Sequence, residues 1–420
     1  MNDPNVNQFL KRYRMHPDQV DADSLIALFL DQMNQGMLAA QDHGMAMYPA
    51  FIDIAKLHAF DRPITIAAVD AGGTHLRIAL VKISGGRNIE IDHLEKYSML
   101  GRDYALSAED FFYEFAQILL PFAIKADAIG ICFAFPGEIT NQHDMIIREM
   151  AKEIVVDDIQ NKSLRDGLTE NLTRMMPNKL PIAIVNDSVA SLLSVAVKYD
   201  LHRYQSLTGL ILGTGTNSCY REKCSNVLKT TYAPSAKFDL INTESGCFDG
   251  YRGGEFDHML DQSSELPNDH LFEKMVGGKY LGELTEIACK HAQRDGLISD
   301  AFDLSSMQNA TAKKVSEILS NEPQNNDERI VQQLSMQIVH RAQILLCSNL
   351  SALIEKQNGC FAPALLSIEG STAEKIPNFK KTLLESLQKQ TATDIECVSA
   401  DHAVLFGTAL AASFHLSTEI

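Results

Sequence analysis

Twice along this chain a run of β-formers meets a glycine-rich turn and continues as a second β run. The first is IAAVDAGGTHLRIALV, residues 66–81, and the second is TGLILGTGTNSCYRE, residues 208–222. After the first turn Leu76, Ile78 and Leu80 alternate with His75, Arg77 and Ala79, the period of two that marks a strand. This order excludes two common nucleotide-loop folds. Rossmann fingerprints and Walker A loops run strand, glycines, helix, and no Walker A pattern occurs anywhere in the sequence. Two readings remain. The turns are ordinary tight hairpins, or they present backbone N–H groups to phosphate oxygens from opposite sides, where glycine permits close approach.

A third stretch narrows the choice. In AIVNDSVASLLS, residues 183–194, the β run Ile182–Val185 ends on Asn186 and Asp187, and a helix is expected to open at Ser188. Open α/β sheets place ligands at the C-terminal ends of their strands, so a carboxylate there is a candidate base. The plainer alternative makes Asp187 a helix N-cap, a role Ser188 already fits.

The rest of the chain supplies scaffold. DSLIALFLDQMNQGML, residues 23–38, has helical periodicity with Asp23 or Ser24 as N-cap, and Ser107 with Asp110 has the spacing of a capping box. Beyond about residue 254 the pattern is mostly helical until PALLSIEG, with SNEPQNNDER (320–329) as a loop between surface helices. At 420 residues the chain can form two domains and a large core. Its net charge of −17 argues against nucleic acid or an anionic membrane as partner. The eight cysteines form no CxxC pair, as expected of reduced cytosolic thiols, and no apolar stretch suggests a signal peptide or a membrane span.

Taken in order, VDAGGTHLR (69–77), FAFPGE (133–138), VNDSVASLLS (185–194), LGTGTNSCY (212–220), INTESG (241–246), LFEKMVGGKYLGEL (271–284) and SIEGS (367–371) resemble the motifs of the hexokinase family, within the actin-like ATPase superfamily. The resemblance spans nearly the whole chain. It implies an α/β fold of two domains around a deep interdomain cleft. The small domain would hold residues 61–185 plus about 400–420, and the large domain 1–60 plus 186–399.

The resemblance also implies roles, residue by residue. Asp187 matches the catalytic base, and Asn186, Asn217, Glu244 and Glu273 match sugar ligands. Lys152, in EMAKEI, is the best match to the small domain's sugar-site lysine; its alternative is a solvated surface lysine. Asp70, Gly72, Gly73, Thr74 and Arg77 match the first phosphate hairpin, with Asp70 holding Mg²⁺ through water. Gly213, Thr214 and Gly215 match the second hairpin, and Gly370 and Ser371 the adenosine-side turn. The partners implied are a hexose and ATP, in the cytoplasm. General chemistry supports these roles. A primary alcohol needs a carboxylate to orient it and take its proton, and a glutamate accepts from adjacent hydroxyls of a polyol.

Five positions depart from the family pattern. Ala134 stands for a serine, Ala151 for a threonine, His75 for an asparagine, Ser245 for a tryptophan and Val339 for a serine. The first two remove hydroxyls expected to touch sugar, so the preferred hexose stays open. A catalytically weak sugar sensor on the same scaffold is the alternative.

Overall fold

The computed structural model describes residues 3–41, 43–54, 62–84, 88–150, 154–233, 236–357 and 362–419. The chain divides into two compact units. Tyr48–Arg203, Cys219–Asn242 and Val398–Ile420 form one, here the aspartate unit. Met1–Met47, Tyr204–Ser218 and Thr243–Cys397 form the other, here the helical unit.

The aspartate unit is built on a five-stranded sheet. Its strands run in the order Ile182–Val185, Ala128–Phe133, Ile64–Ala71, His75–Ser84, Asn88–Ser98. The first three are parallel and the last two antiparallel. Ala128–Phe133 and Ile182–Val185 are buried at every residue, as parallel strands covered on both faces must be. Asn88–Ser98 is the edge strand, and its Glu90, Asp92, Glu95 and Lys96 keep it solvated. On one side lies the helix Ala108–Ala123, whose Phe111, Phe115 and Phe122 join Ile129, Ile131 and Ile184 in a single core. Ser107 caps that helix by accepting the Asp110 N–H, as the spacing predicts.

Two helices set the position of Asp187. Asp187–Ser194 follows directly on the strand Ile182–Val185, and Ala403–Glu419 packs on both that helix and the parallel strands. The approach is so close that a Cβ on Gly407 would lie 1.7 Å from the Ala190 carbonyl oxygen. Glycine is required there by contact, and the crossing fixes the helix that begins with Asp187.

The helical unit has a parallel pair, Ser206–Leu212 with Ala364–Glu369, flanked by Ile395–Val398. Its spine is the helix Asn326–Lys356, 31 residues and so about 46 Å long. Ala22–Leu38, Gly278–Arg294 and Phe379–Thr391 pack along it. Arg341 is 1% exposed on this spine and grips Asp257 with both guanidinium nitrogens, at 3.1 and 2.6 Å. A second buried pair joins Lys274 to Asp261 at 2.7 Å. Among the described residues no helix is long and apolar enough to cross a membrane.

Three local expectations need correction. The cap of Ala22–Leu38 is Asp21, which accepts from Ser24 N–H, so the helix starts ahead of Asp23 and Ser24. The polar segment 320–329 is only partly a loop: Asn325 caps Asn326–Lys356, which takes up its second half. Ser188 is not the cap of its helix either. Asn186 is, and Asp187 is the first helical residue. Each miss has one cause: where several Asp, Asn and Ser residues adjoin, any of them can accept the N–H groups of a first turn.

Candidate active site

Both glycine turns lie between strands. Residues 72–74 join Ile64–Ala71 to His75–Ser84, and residues 213–215 join Ser206–Leu212 to Thr216–Lys223. Each turn spends one N–H on its own closure. Gly72 donates to the His75 carbonyl at 3.1 Å, and Gly213 to the Gly215 carbonyl at 3.0 Å.

In the aspartate unit three neighbouring strands end at one level. Asp70 is directly opposite Arg77 on one side and Cys132 on the other, and Cys132 is opposite Val185. Asp187 follows Val185 by two residues. Register alone therefore sets Asp70 and Asp187 on the same C-terminal edge of the sheet, two strands apart. Electrostatics agrees. Burial drives the Cys132 thiol well above its ordinary value, and the charges of Asp70 and Asp187 push it further.

The two carboxylates differ in setting. Asp70 is 7% exposed and hydrogen-bonds through Oδ2 to the Arg77 guanidinium. Burial raises its pKa, and Arg77 pulls the other way. Asp187 is half-buried at the start of a helix, where the macrodipole favours a negative charge. The Asn186 amide oxygen accepts from Ser188 N–H and Oγ at 2.8 and 2.7 Å, so its NH₂ is the group it can offer a hydroxyl.

In the helical unit the second turn is braced from below. Gly278 and Lys279, opening the helix Gly278–Arg294, donate their N–H groups to Gly213 and Thr214 carbonyls at 2.9 and 3.0 Å. Thr372 Oγ1 donates to the Gly213 carbonyl at 2.7 Å. Gly370 caps the short helix Ser371–Lys375 with φ +114°, a backbone state that only glycine reaches freely. Glu273 anchors the turn's far end by accepting Thr216 N–H at 2.9 Å through Oε2. Gly215 lies under that carboxylate, and a Cβ there would stand 2.0 Å from Oε2. The Gly215→Ala variant should therefore displace Glu273 from the Thr216 N–H, lowering stability by about 1–3 kcal/mol. Thermal denaturation would check it.

Glu244 follows the strand Phe238–Asn242 in a left-handed conformation, φ 53°. Non-glycine residues rarely adopt it, and such strain concentrates at functional positions. Glu244 and Glu273 both act on Cys247, whose thiol is raised by burial first and then by Glu244, Asp269, Glu273 and Asp249. Asn217 is half-buried just beyond the second turn, its Oδ1 accepting Ser218 N–H at 2.7 Å. Ser245 is fully buried, and its hydroxyl has no partner.

The motifs thus gather into two sets. Asp70, Arg77, Asn186 and Asp187 belong to the aspartate unit; Gly213, Thr214, Gly215, Asn217, Glu244, Glu273, Gly370 and Ser371 belong to the helical unit. Lys152 and Ala151 lie outside the described residues. The braces Gly278, Lys279 and Thr372 escaped the sequence reading. Gly278 and Lys279 lie in the motif LFEKMVGGKYLGEL, but nothing in it assigns them this bracing.

This fold is that of known two-domain α/β enzymes. A hexokinase from Schistosoma mansoni, solved with glucose, superposes with TM-score 0.79 at 20% identity, covering 97% of this chain and 99% of that one. Two sequence models described as Hexokinase match residues 5–197 and 207–414, and the chain belongs to the hexokinase family. Among curated relatives, Glucokinase-1 of Saccharomyces cerevisiae is 26% identical, over 91% of this chain and 90% of its own. Hexokinase-2 of the same yeast is also 26% identical, over 82% and 79%.

Proposed function

We propose that this protein transfers the γ-phosphoryl group of ATP to the 6-hydroxyl of a hexose, glucose or a related sugar. The observation that carries the reading is the placement of Asp70 and Asp187 on one sheet edge, two strands apart. Asp187 accepts the proton of the attacking hydroxyl and orients it. Asn186, Asn217, Glu244 and Glu273 hold the other hydroxyls, with Lys152 offsetting phosphoryl charge. Asp70 positions hydrated Mg²⁺, with the Arg77 guanidinium hydrogen-bonded beside it. Bound Mg²⁺ supplies charge neutralisation on the nucleotide phosphates. N–H groups of the two glycine turns bind phosphate oxygens, and Gly370 and Ser371 face the adenosine. In this reading residues 61–185 and about 400–420 act as a small domain, and 1–60 with 186–399 as a large one. The cytosol, where the seven described unpaired cysteines stay reduced, is the proposed compartment.

The test is ATP turnover with glucose, mannose, fructose and N-acetylglucosamine in turn. Turnover that requires a hexose supports the reading, and ATP hydrolysis indifferent to sugar overturns it. Hexose binding without turnover would fit a sugar sensor on the same scaffold. The preferred sugar has its own test. Ala134 is half-buried where a serine would offer a hydroxyl. One neutral hydrogen bond contributes ~0.5–1.5 kcal/mol, so Ala134→Ser should lower the glucose KM about 2- to 12-fold. An unmoved KM would show that position 134 does not touch the sugar.

A further inference from the structure

Beside the sugar-site glutamates lies a cluster that phosphoryl transfer does not use. Cys247, Asp269 and His270 each offer one ligand atom, and the three atoms lie within 4.8 Å of one another. Two loops bring them together. Cys247 ends the single helical turn Ser245–Cys247 that follows Glu244, and His270 is the N-cap of Leu271–Val276, which carries Glu273. His270 Nδ1 is 2.9 Å from Asp269 Oδ2, and their side chains are 34% and 50% exposed, so an ion can enter from solvent.

From this geometry we propose that Cys247, Asp269 and His270 form a Zn²⁺ site whose occupation weakens hexose binding. The donor set selects the metal. Thiolate and imidazole are ligands for zinc and its softer neighbours, whereas Mg²⁺ and Ca²⁺ want oxygen. Ligands at 2.0–2.3 Å around a tetrahedral ion stand ~3.3–3.8 Å apart, so the three atoms need to close by only about an ångström. Water takes the fourth position. On binding, the Sγ–Zn bond replaces Sγ–H, and the proton goes to solvent. Glu244 precedes Cys247 by three residues and Glu273 follows His270 by three, so both carboxylates sit on the segments that carry the ligands.

The effect on sugar rests on the hexokinase reading above. A dication at Cys247 draws on the carboxylates of Glu244 and Glu273 and makes them poorer acceptors for hydroxyls. The site would let free zinc hold the enzyme in a low-affinity state.

Co²⁺ is the probe for the site, since a thiolate ligand gives it a near-ultraviolet charge-transfer band. The intact protein should show that band with one equivalent of Co²⁺, and Zn²⁺ should displace it. Cys247→Ser should abolish the band. Asp269→Asn and His270→Gln should weaken metal binding by at least the ~10–100-fold that loss of an outer-shell partner costs. Circular dichroism on each variant confirms that it is folded. A band unchanged in Cys247→Ser, or no Co²⁺ or Zn²⁺ binding by the intact protein, overturns the site. The coupling is read by calorimetric titration with glucose, without nucleotide, in zinc-free and zinc-loaded protein. Zinc should raise the hexose Kd in the intact protein and leave it unmoved in Cys247→Ser. An equal Kd in both states of the intact protein overturns the coupling. A protein that binds Co²⁺ but no hexose under either condition overturns the sugar reading and leaves the metal site standing.

Discussion

Replacing Asp187 by alanine is expected to lower kcat by ~10²–10⁴, the usual contribution of a general base. Folding should change little. Asp187 is the first residue of its helix, and Asn186, not Asp187, is the cap. Asp187 also accepts the Ser188 N–H at 2.8 Å, but Asn186 accepts the same N–H, so the loss at the helix terminus is of the order of 0.3–1 kcal/mol, mainly from the macrodipole. Asp187→Asn should behave in the same way while preserving shape. Rapid-quench measurement of the phosphoryl-transfer step is the decisive readout, because product release can hide a slowed chemical step. Turnover equal to the parent in a folded Asp187→Ala protein would move the base elsewhere. Asp70 would then be the next carboxylate to examine, on the same sheet edge.

The second large effect is on stability. Arg341→Met should destabilise the helical unit by about 3–5 kcal/mol, because it leaves Asp257 buried without its cation. Asp257 is 4% exposed and also accepts the Gly254 N–H at 2.6 Å, so it cannot turn to solvent. Burial works against the Arg341 charge, yet Asp257 and Tyr251 outweigh it and raise its pKa above the ordinary value. Adding Asp257→Leu to Arg341→Met should restore much of the loss. Recovery should stop short of complete, since Gly254 loses its acceptor. Urea denaturation of the single and double variants measures both effects. A single variant as stable as the parent would contradict the account of the pair.

How far the sequence foretold this molecule depended on the range of each interaction. The strand–glycine–strand turns were legible because alternation and glycine act locally: Leu76, Ile78 and Leu80 are all buried, as their period demands. So were the continuous apolar strands and the helical segment beyond residue 254. The caps at Asp21 and Asn186 were missed because adjoining polar residues compete for the same N–H groups. The bracing of residues 213–215 by Gly278, Lys279 and Thr372 joins segments far apart in the sequence, and no local pattern reports it. Glu244 is an instructive intermediate case. Its motif marked the residue, but nothing in INTESG announces the left-handed backbone that aims it.

The division of the chain into units has a consequence for how the protein is made. The chain passes between units at 47/48, 203/204, 218/219, 242/243 and 397/398, so neither unit is a continuous piece. The helix Pro4–Arg12 leaves the ribosome early, but its partners come late. Tyr13 stacks on Phe256, and its hydroxyl donates to Asp295 at 2.8 Å. At ~5–20 residues per second, the 282 positions between Tyr13 and Asp295 take roughly 15–55 s to synthesise. Through that interval Phe9 can meet the Tyr13 ring, 5.0 Å away, but not that of Phe256. Until Phe256 is made, the helix Pro4–Arg12 waits with its Val6, Phe9 and Leu10 face incompletely packed, which makes this amphipathic segment a natural client for chaperones.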